Sequence, residues 1–477
     1  MTGRRPTLIV SLTARDLPAA RRELRAVRSS GAAAAEIRFD RWPARERARA
    51  ERLFPSPMPL IATLRSRSEG GEGPDQPKQR ARVLKSLAAL PFGWIDLEAR
   101  RDPQRFPTSV RTPGRITSVH LPAGSSAPTL RRWLSIRVDA PDWIKVVAPA
   151  SVPAALRACR TALPTPAHRR RLIFQTVGAS GPLVRALAWR LGLGAIYCAP
   201  GGGRSVETAQ IPIDRLAHYL GGRRPGPLFA LLGRDVSRSR SPSIFSRWMR
   251  TSGDRGLYVE LELDSRKGLR SAFPALVAEG FRGFNVTQPW KVEAIRLADR
   301  VGTSATRCGC ANVLTVTATG AVRADNTDLG AIGLEYASLR SSGRWDGKEV
   351  TVLGTGGAAR AAIVAASELG AHVSVVARRA SAGSALAREL GIDRPKTTRP
   401  SPATLLVNAT PIGRASAGRP EIPIHRFVDR STFIVDFVYD ADRPILRQLA
   451  RSRGGGYRDG IGLLTHQARA AYRIWWG

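Results

Sequence analysis

Cysteine is scarce in this 477-residue chain: Cys159, Cys198, Cys308 and Cys310 are the four present, which excludes a small scaffold framed by disulfides. Cys308 and Cys310 stand one residue apart where a zinc knuckle needs two or more, so no metal site is expected. Lysine is scarce too, with only 7 among the 75 basic residues. The arginines are spread over the whole length beside abundant alanine and glycine. That distribution fits a compositional bias better than a nucleic-acid-binding stripe gathered on one element, so the net charge of +37 is not read as a nucleic-acid footprint. No run of about 18 uncharged apolar residues occurs. Met1 to Val10 lacks a signal-peptide core, so a cytoplasmic protein with no membrane partner is expected. Low-complexity tracts and internal repeats are also missing.

What is present is ordinary globular material, 43% hydrophobic and 24% charged, in a chain too long for one core. Over the first 222 residues, short apolar runs alternate with amphipathic stretches. The runs are Thr7–Leu12, Ala34–Asp40, Pro59–Arg65, Gly93–Glu98, Arg115–His120, Trp143–Ala148, Arg171–Gly178 and Ala195–Pro200. Eight strands with crossover segments between them predict an α/β fold that opens with a (β/α)8 barrel of the TIM type. Gly221 to Pro227 punctuates the chain. A second α/β unit opens with Leu228–Gly233 and carries another strand at Gly283–Thr287. After Ser341-Ser342-Gly343 come strand Glu349–Leu353, a glycine turn, a helical stretch to Leu369 and strand His372–Ala377. Thr404–Ala409 and Thr432–Val438 extend this into an open parallel, Rossmann-like sheet, and 462–476 reads as a closing helix.

Barrel chemistry sits at the C-terminal ends of strands. There the sequence places Glu36 and Arg38 on one face of strand two, Arg65 after strand three, Asp96-Leu97-Glu98 on strand four, His120 on strand five and Lys145 on strand six. Glu98, His120 and Lys145 lie on consecutive strands and are expected to converge. A lysine shielded by apolar neighbours is a candidate nucleophile toward a ketone. The imine so formed acidifies the adjacent carbon, and His120 is placed to take that proton with Glu98 fixing its orientation.

These residues, read as Glu36-Ile37-Arg38-Phe39-Asp40, Thr63-Leu64-Arg65-Ser66 with Glu69-Gly70-Gly71, Asp96-Leu97-Glu98, Ser118-Val119-His120 and Lys145, make residues 1–222 resemble type I 3-dehydroquinate dehydratase. The resemblance implies a Schiff base on Lys145, proton shuttling by His120, and Glu98 as its partner. Glu36, Arg38 and Arg65 would bind substrate hydroxyls, Arg185 would clamp the carboxylate, and Gln210 would contact substrate from the last loop. The family's Ser-Ala-Pro-Gly-Gln lid is replaced by Val206-Glu207-Thr208-Ala209-Gln210, with Ser205 one residue away, and Val184 stands where a serine usually precedes the arginine.

In the second half, Gly354-Thr355-Gly356-Gly357-Ala358 follows a strand and opens a helix, the setting in which backbone N–H groups receive a pyrophosphate. The next strand ends without an acid for a ribose hydroxyl. Arg378 and Arg379 stand there instead and favour the 2′-phosphate of NADP. Ser239 and Ser241 alternate in a way suited to a carboxylate, although Ser241 also reads as a helix cap. Lys291 and Asp328 form a candidate proton-transfer pair.

Together with Asn285-Val286-Thr287, Ala311-Asn312, Asp325-Asn326-Thr327-Asp328, Asn408-Ala409-Thr410 and the stretch from Asp459-Gly460 to Gln467, these motifs resemble shikimate dehydrogenase over 228–477. The resemblance implies a catalytic Lys291–Asp328 pair and substrate contacts from Ser239, Ser241, Thr287, Asn312, Tyr439 and Gln467. The cofactor NADP would lie on Gly354, Gly356, Gly357, Ala358, Arg378, Asn408 and Thr410. Arg238 and Ala377 depart from the usual histidine and asparagine. The expected divisions are 1–222 for the barrel, 228–335 with the returning helix 462–477 for a substrate domain, and 344–461 for the NADP domain. The two chemistries are consecutive: 3-dehydroquinate to 3-dehydroshikimate, then to shikimate. Alternatives are a reductase half preferring quinate, or a regulatory sensor on the same folds. The sensor should have lost Lys145, His120, Lys291 or Asp328, and all four are present.

Overall fold

The computed structural model describes residues 5–102, 114–138, 142–201, 205, 209–392, 404–414, 422–442 and 444–477. The chain divides into two compact units, one of residues 1–228, 248–263 and 274–280, the other of 229–247, 264–273 and 281–477. Among the described residues, no helix is long and apolar enough to cross a membrane.

The first unit opens with eight strands: β1 (Thr7–Ser11), β2 (Ala34–Arg38), β3 (Leu60–Thr63), β4 (Trp94–Glu98), β5 (Gly114–His120), β6 (Trp143–Pro149), β7 (Leu172–Val177) and β8 (Ala195–Cys198). They neighbour one another in the order β7-β6-β5-β4-β3-β2-β1-β8, all parallel. Each overlaps one of the eight runs expected from sequence. The strands are buried along most of their length because helices cover the outer face and side chains fill the inner one. Ile9, Ile61, Ile116, Ile173, Tyr197 and Trp143 form the packed floor of the interior. Three crossover helices start the same way: Asp16, Ser126 and Ser151 accept from the backbone N–H three residues on, and a proline lies inside the first turn. The cap satisfies an orphan donor, and the proline removes one that has no partner anyway.

Strands β9 (Leu228–Gly233) and β10 (Leu257–Glu262) follow in the chain. In the second unit, β11 (Phe281–Val286), β12 (Arg300–Val301), β13 (Val313–Val316) and β14 (Val322–Asp325) adjoin in the order β11-β13-β14-β12. β11/β13 and β13/β14 are antiparallel, and β12/β14 parallel. A second sheet of the same unit contains β15 (Glu349–Leu353), β16 (His372–Val376), β17 (Leu405–Asn408), β18 (Phe433–Asp436) and β19 (Gly456–Asp459), all parallel in the order β16-β15-β17-β18-β19. Strand order reverses at β15, so the crevice beyond the ends of β15 and β17 is the topological place for a ligand. The closing helix, Ile461–Trp476, packs on helix Thr327–Ser341 and on β11 and β13, and Trp475 stacks on Phe229.

Candidate active sites

Side chains two apart on a strand share a face, and the barrel register stacks polar inward positions above the apolar floor. Ser11 is level with Glu36, Thr63 with Asp96, and Ser118 with Lys145. Glu36 accepts from Ser11 Oγ at 2.6 Å and Thr63 Oγ1 at 2.8 Å. Asp96 accepts from Ser118 Oγ at 2.5 Å and from Arg65 Nη2, which is 2.9 Å from both of its oxygens. Into this ring projects Lys145, buried at 6% exposure. Its Nζ lies 3.1 Å from Asp96 Oδ2, 3.6 Å from Glu36 Oε1 and 4.0 Å from the centre of the Tyr197 ring. The strand around it is apolar as expected, but the atoms nearest the amine are acids. Burial opposes the charge on Asp96, yet Arg65 and Lys145 prevail and hold that carboxyl well below the usual range. Asp96 is therefore a fixed anion against the amine, and it was missing from the expected set. Its place two residues before Glu98, on the same face, was the available signal.

His120 ends β5, and its Nδ1 lies 2.8 Å from Glu69 Oε2. This corrects the expected partner. Glu98 instead accepts from Ser66 N at 2.8 Å and Ser66 Oγ at 2.7 Å, beside the cations of Arg65 and Arg80. Glu69 rides on the 3₁₀ turn Arg67–Glu69 beyond β3, a position that a search confined to strand ends passes over. Burial, reinforced by the Arg65 and Lys145 cations, holds His120 well below the ordinary imidazole value of 6.5. Burial also pushes the Glu69 carboxyl up to about 7 against the pull of Arg65. A neutral imidazole with a carboxylate on Nδ1 leaves Nε2 free to act as a base.

The remaining barrel residues divide. Arg38 is forked onto Asp40, at 2.8 and 2.7 Å. Gln210 Nε2 donates to Ser11 Oγ at 3.1 Å, and Ser205 Oγ donates to Gln210 Oε1 at 3.2 Å. The loop glutamine thus joins the Glu36 network, while Val206, Glu207 and Thr208 lie outside the described residues. Arg185, expected to clamp the carboxylate, is buried in the barrel wall. It is 2% exposed and donates to the carbonyls of Tyr197, Thr176 and Gly181 and to Gln175 Oε1. β7 and β8 stand at the two ends of the strand order, so the guanidinium, rising from helix Gly181–Leu191, laces the barrel wall where the ladder stops.

The second unit contains a cleft of about 750 Å³ lined by Ser239, Ser241, Thr287, Lys291, Asn312, Asp328, Tyr439 and Gln467. Lys291 Nζ donates to Asp328 Oδ2 at 2.5 Å. Asn312 Nδ2 is within 2.9 Å of Asp328 Oδ1 and 3.3 Å of Gln467 Oε1, and Asn312 Oδ1 accepts the Thr327 N–H at 2.7 Å. The pair therefore stands on a buried amide that orients the aspartate from behind. Helix Ser241–Ser252 begins at Ser241 itself, and the capping bond comes from Ser239 Oγ, which accepts the Ser241 N–H at 3.2 Å.

The glycine turn lines the same cleft, with Ala358, Arg378, Arg379 and Thr410. Gly354 has φ +113, and a Cβ there would meet Thr410 Cγ2 at 3.0 Å. At Gly357 a Cβ would fall 2.5 Å from Lys291 Cβ, whereas Gly356, at the N-terminus of helix Gly357–Glu368, faces open space. That open cradle at a helix start, with two arginines at the end of the neighbouring strand, fits a phosphorylated dinucleotide. Asn408, expected at the cofactor, is a correction: it is fully buried. It donates to Asp436 Oδ1 at 2.8 Å and accepts from Thr410 N at 3.1 Å and Thr410 Oγ1 at 2.6 Å, so it shapes the loop from beneath.

Residues 8–223 match the family model of type I 3-dehydroquinase, and residues 231–314 match that of the shikimate dehydrogenase substrate binding domain. The shikimate dehydrogenase (NADP(+)) of Dinoroseobacter shibae is 34% identical over 267 residues, covering 53% of this chain and 92% of the relative. That of Acidiphilium cryptum is 34% identical over 255 residues, covering 52% and 90%. The chain belongs to the shikimate dehydrogenase family. It joins to that enzyme a type I 3-dehydroquinase domain, as the resemblances implied. In this shikimate dehydrogenase, Arg238 donates to Asp442 Oδ2 at 2.9 Å and to the carbonyl of Asp440 at 3.2 Å, and Arg240 lies 5.9 Å from the Tyr439 ring centre. The substitution at 238 thus ties the serine loop to the loop after β18.

Proposed function

We propose that one chain carries out two consecutive steps: dehydration of 3-dehydroquinate to 3-dehydroshikimate by residues 1–222, then NADPH-dependent reduction to shikimate. The reduction is assigned to residues 228–335 with helix 462–477 as substrate domain and 344–461 as cofactor domain. The observation that carries the reading is Lys145 buried between Asp96 and Glu36 on the strand beside the His120–Glu69 pair. Lys145 Nζ adds to the ketone carbon, and loss of water gives the imine. The imine draws electrons from the neighbouring C–H bond. His120 Nε2 takes that proton and returns one to the departing hydroxyl, which leaves as water, and hydrolysis frees the amine. Glu36, Arg38, Arg65 and Gln210 line the chamber for the hydroxyls.

In the second unit Lys291 supplies the proton to the carbonyl oxygen of 3-dehydroshikimate, and Asp328 with Asn312 holds the ammonium in place. Ser239, Ser241, Thr287, Tyr439 and Gln467 position the acid and its hydroxyls. Gly354, Gly356, Gly357, Ala358, Thr410 and Arg378 would hold NADPH, which when bound supplies hydride to the ketone carbon. The test is absorbance at the NADPH band when purified protein is given 3-dehydroquinate. Consumption is expected, and it should stop in Lys145→Ala but resume on adding 3-dehydroshikimate. Borohydride should trap substrate on Lys145; an adduct elsewhere would overturn the barrel mechanism.

A further inference from the structure

Gln175 is the residue of the chamber whose chemistry is left over. It lies on β7, level with Val147 of β6, while Ile173, two residues earlier, is level with Lys145 and belongs to the apolar floor. Alternation therefore turns Gln175 inward, one step above the amine's level. The residue is 4% exposed. Its Oε1 accepts from Arg185 Nη2 at 3.2 Å, which fixes which end of the amide points away from the guanidinium. The other end, Nε2, has no hydrogen-bond partner among the described residues. Tyr197 Oη, of the strand at the other end of the wall, is likewise buried with no hydrogen-bond partner among the described residues, and its ring lies under Lys145 Nζ.

Buried donors are almost always paired, so an orphan inside a polar chamber needs an acceptor from elsewhere. The bond from Arg185 withdraws electron density through the amide and strengthens its N–H as a donor. Arg185 Nε and Nη1 are held by backbone carbonyls and Nη2 points to Gln175, so the amide carries part of the guanidinium's positive charge into the chamber. We infer that Gln175 Nε2 is a substrate-positioning donor of the dehydratase half, taking a carboxylate oxygen of the cyclic keto acid held at Lys145. This rests on the dehydratase reading above and adds to it a positioning residue.

The test uses the full chain carrying Gln175→Glu, which keeps an oxygen for Arg185 and replaces the donor by an acceptor. Its KM for 3-dehydroquinate is expected to rise about tenfold or more, with kcat within about threefold and the thermal midpoint not lowered. Gln175→Met, which removes both polar ends, should raise KM in the same direction. At saturating substrate, borohydride should still trap the adduct on Lys145 in both. A KM within about twofold of the unmodified chain in both variants overturns the inference. So does a loss confined to kcat, or a lowered thermal midpoint with KM unchanged. If the unmodified chain does not dehydrate 3-dehydroquinate, the dehydratase reading itself falls. If it does and the variants behave like it, only the role of Gln175 falls.

Discussion

Among single residues, Glu69 carries the sharpest pH consequence. Its carboxyl, raised to about 7 by burial against the pull of Arg65, must be ionised to hold the Nδ1–H of His120. His120 itself stays neutral because burial, Arg65 and Lys145 keep its value well below 6.5. As pH falls through about 7, Glu69 gains a proton, the imidazole loses its acceptor, and dehydration slows. The acid limb of kcat/KM for 3-dehydroquinate should therefore lie near pH 7. Glu69→Gln should remove that limb while lowering the plateau by about tenfold to a hundredfold. A limb unchanged in Glu69→Gln would exclude this carboxylate as its source. In the other half, Asp328→Asn should lower reductase kcat by about a hundredfold or more and leave dehydration untouched, measured as separate half-reactions. The lysines, the histidine and Asp328 were legible from motif and strand position. Glu69 as the histidine's partner was not, although its motif was visible, because proximity across a turn is a property of the folded loop. Asn408 misled for the opposite reason. Its motif marks the cofactor loop, but the side chain faces into the protein, toward Asp436.

For elements, the glycine turn separates two effects that a motif lumps together. A methyl group at Gly357 would collide with Lys291 Cβ, whereas at Gly356 it meets nothing within 4 Å. Gly357→Ala should displace the proton donor and lower reductase kcat by about tenfold to a hundredfold. Gly356→Ala should instead obstruct approach to the helix start and raise the KM for NADPH, with kcat within about threefold. Steady-state kinetics on both variants distinguishes them, and equal effects on kcat would sink the distinction. Buried strands were the most legible elements: β9 and β15 coincide with their expected spans, because buried, mainly apolar or β-branched residues run along them. Five strands were passed over. β12 is two exposed residues, Arg300–Val301, and β19 reads Gly-Tyr-Arg-Asp, neither of which shows an apolar run. β13 and β14 are four residues each and paired mainly by their neighbours. β10, Leu-Tyr-Val-Glu-Leu-Glu, carries a period-two signal only over its last four residues, too short a stretch to stand out.

The whole molecule presents a charge of +37 to substrates that are small carboxylates. A compositional excess of arginine accounts for the charge without a nucleic-acid surface, and its physical role in the reactions is capture of these anions. A positive molecular field raises the encounter rate of an anion but contributes little to a bond-making step inside a buried site. The screening length falls from about 30 Å at 0.01 M salt to about 8 Å at 0.15 M. Over that range kcat/KM for shikimate oxidation at saturating NADP+ should fall about threefold to tenfold, with kcat nearly constant. The methyl ester of shikimate, which has no charge to steer, supplies the control and should lose much less. Equal losses for acid and ester would show that salt acts on the protein or on its cofactor site rather than on capture. The arginine excess would then be a matter of composition alone.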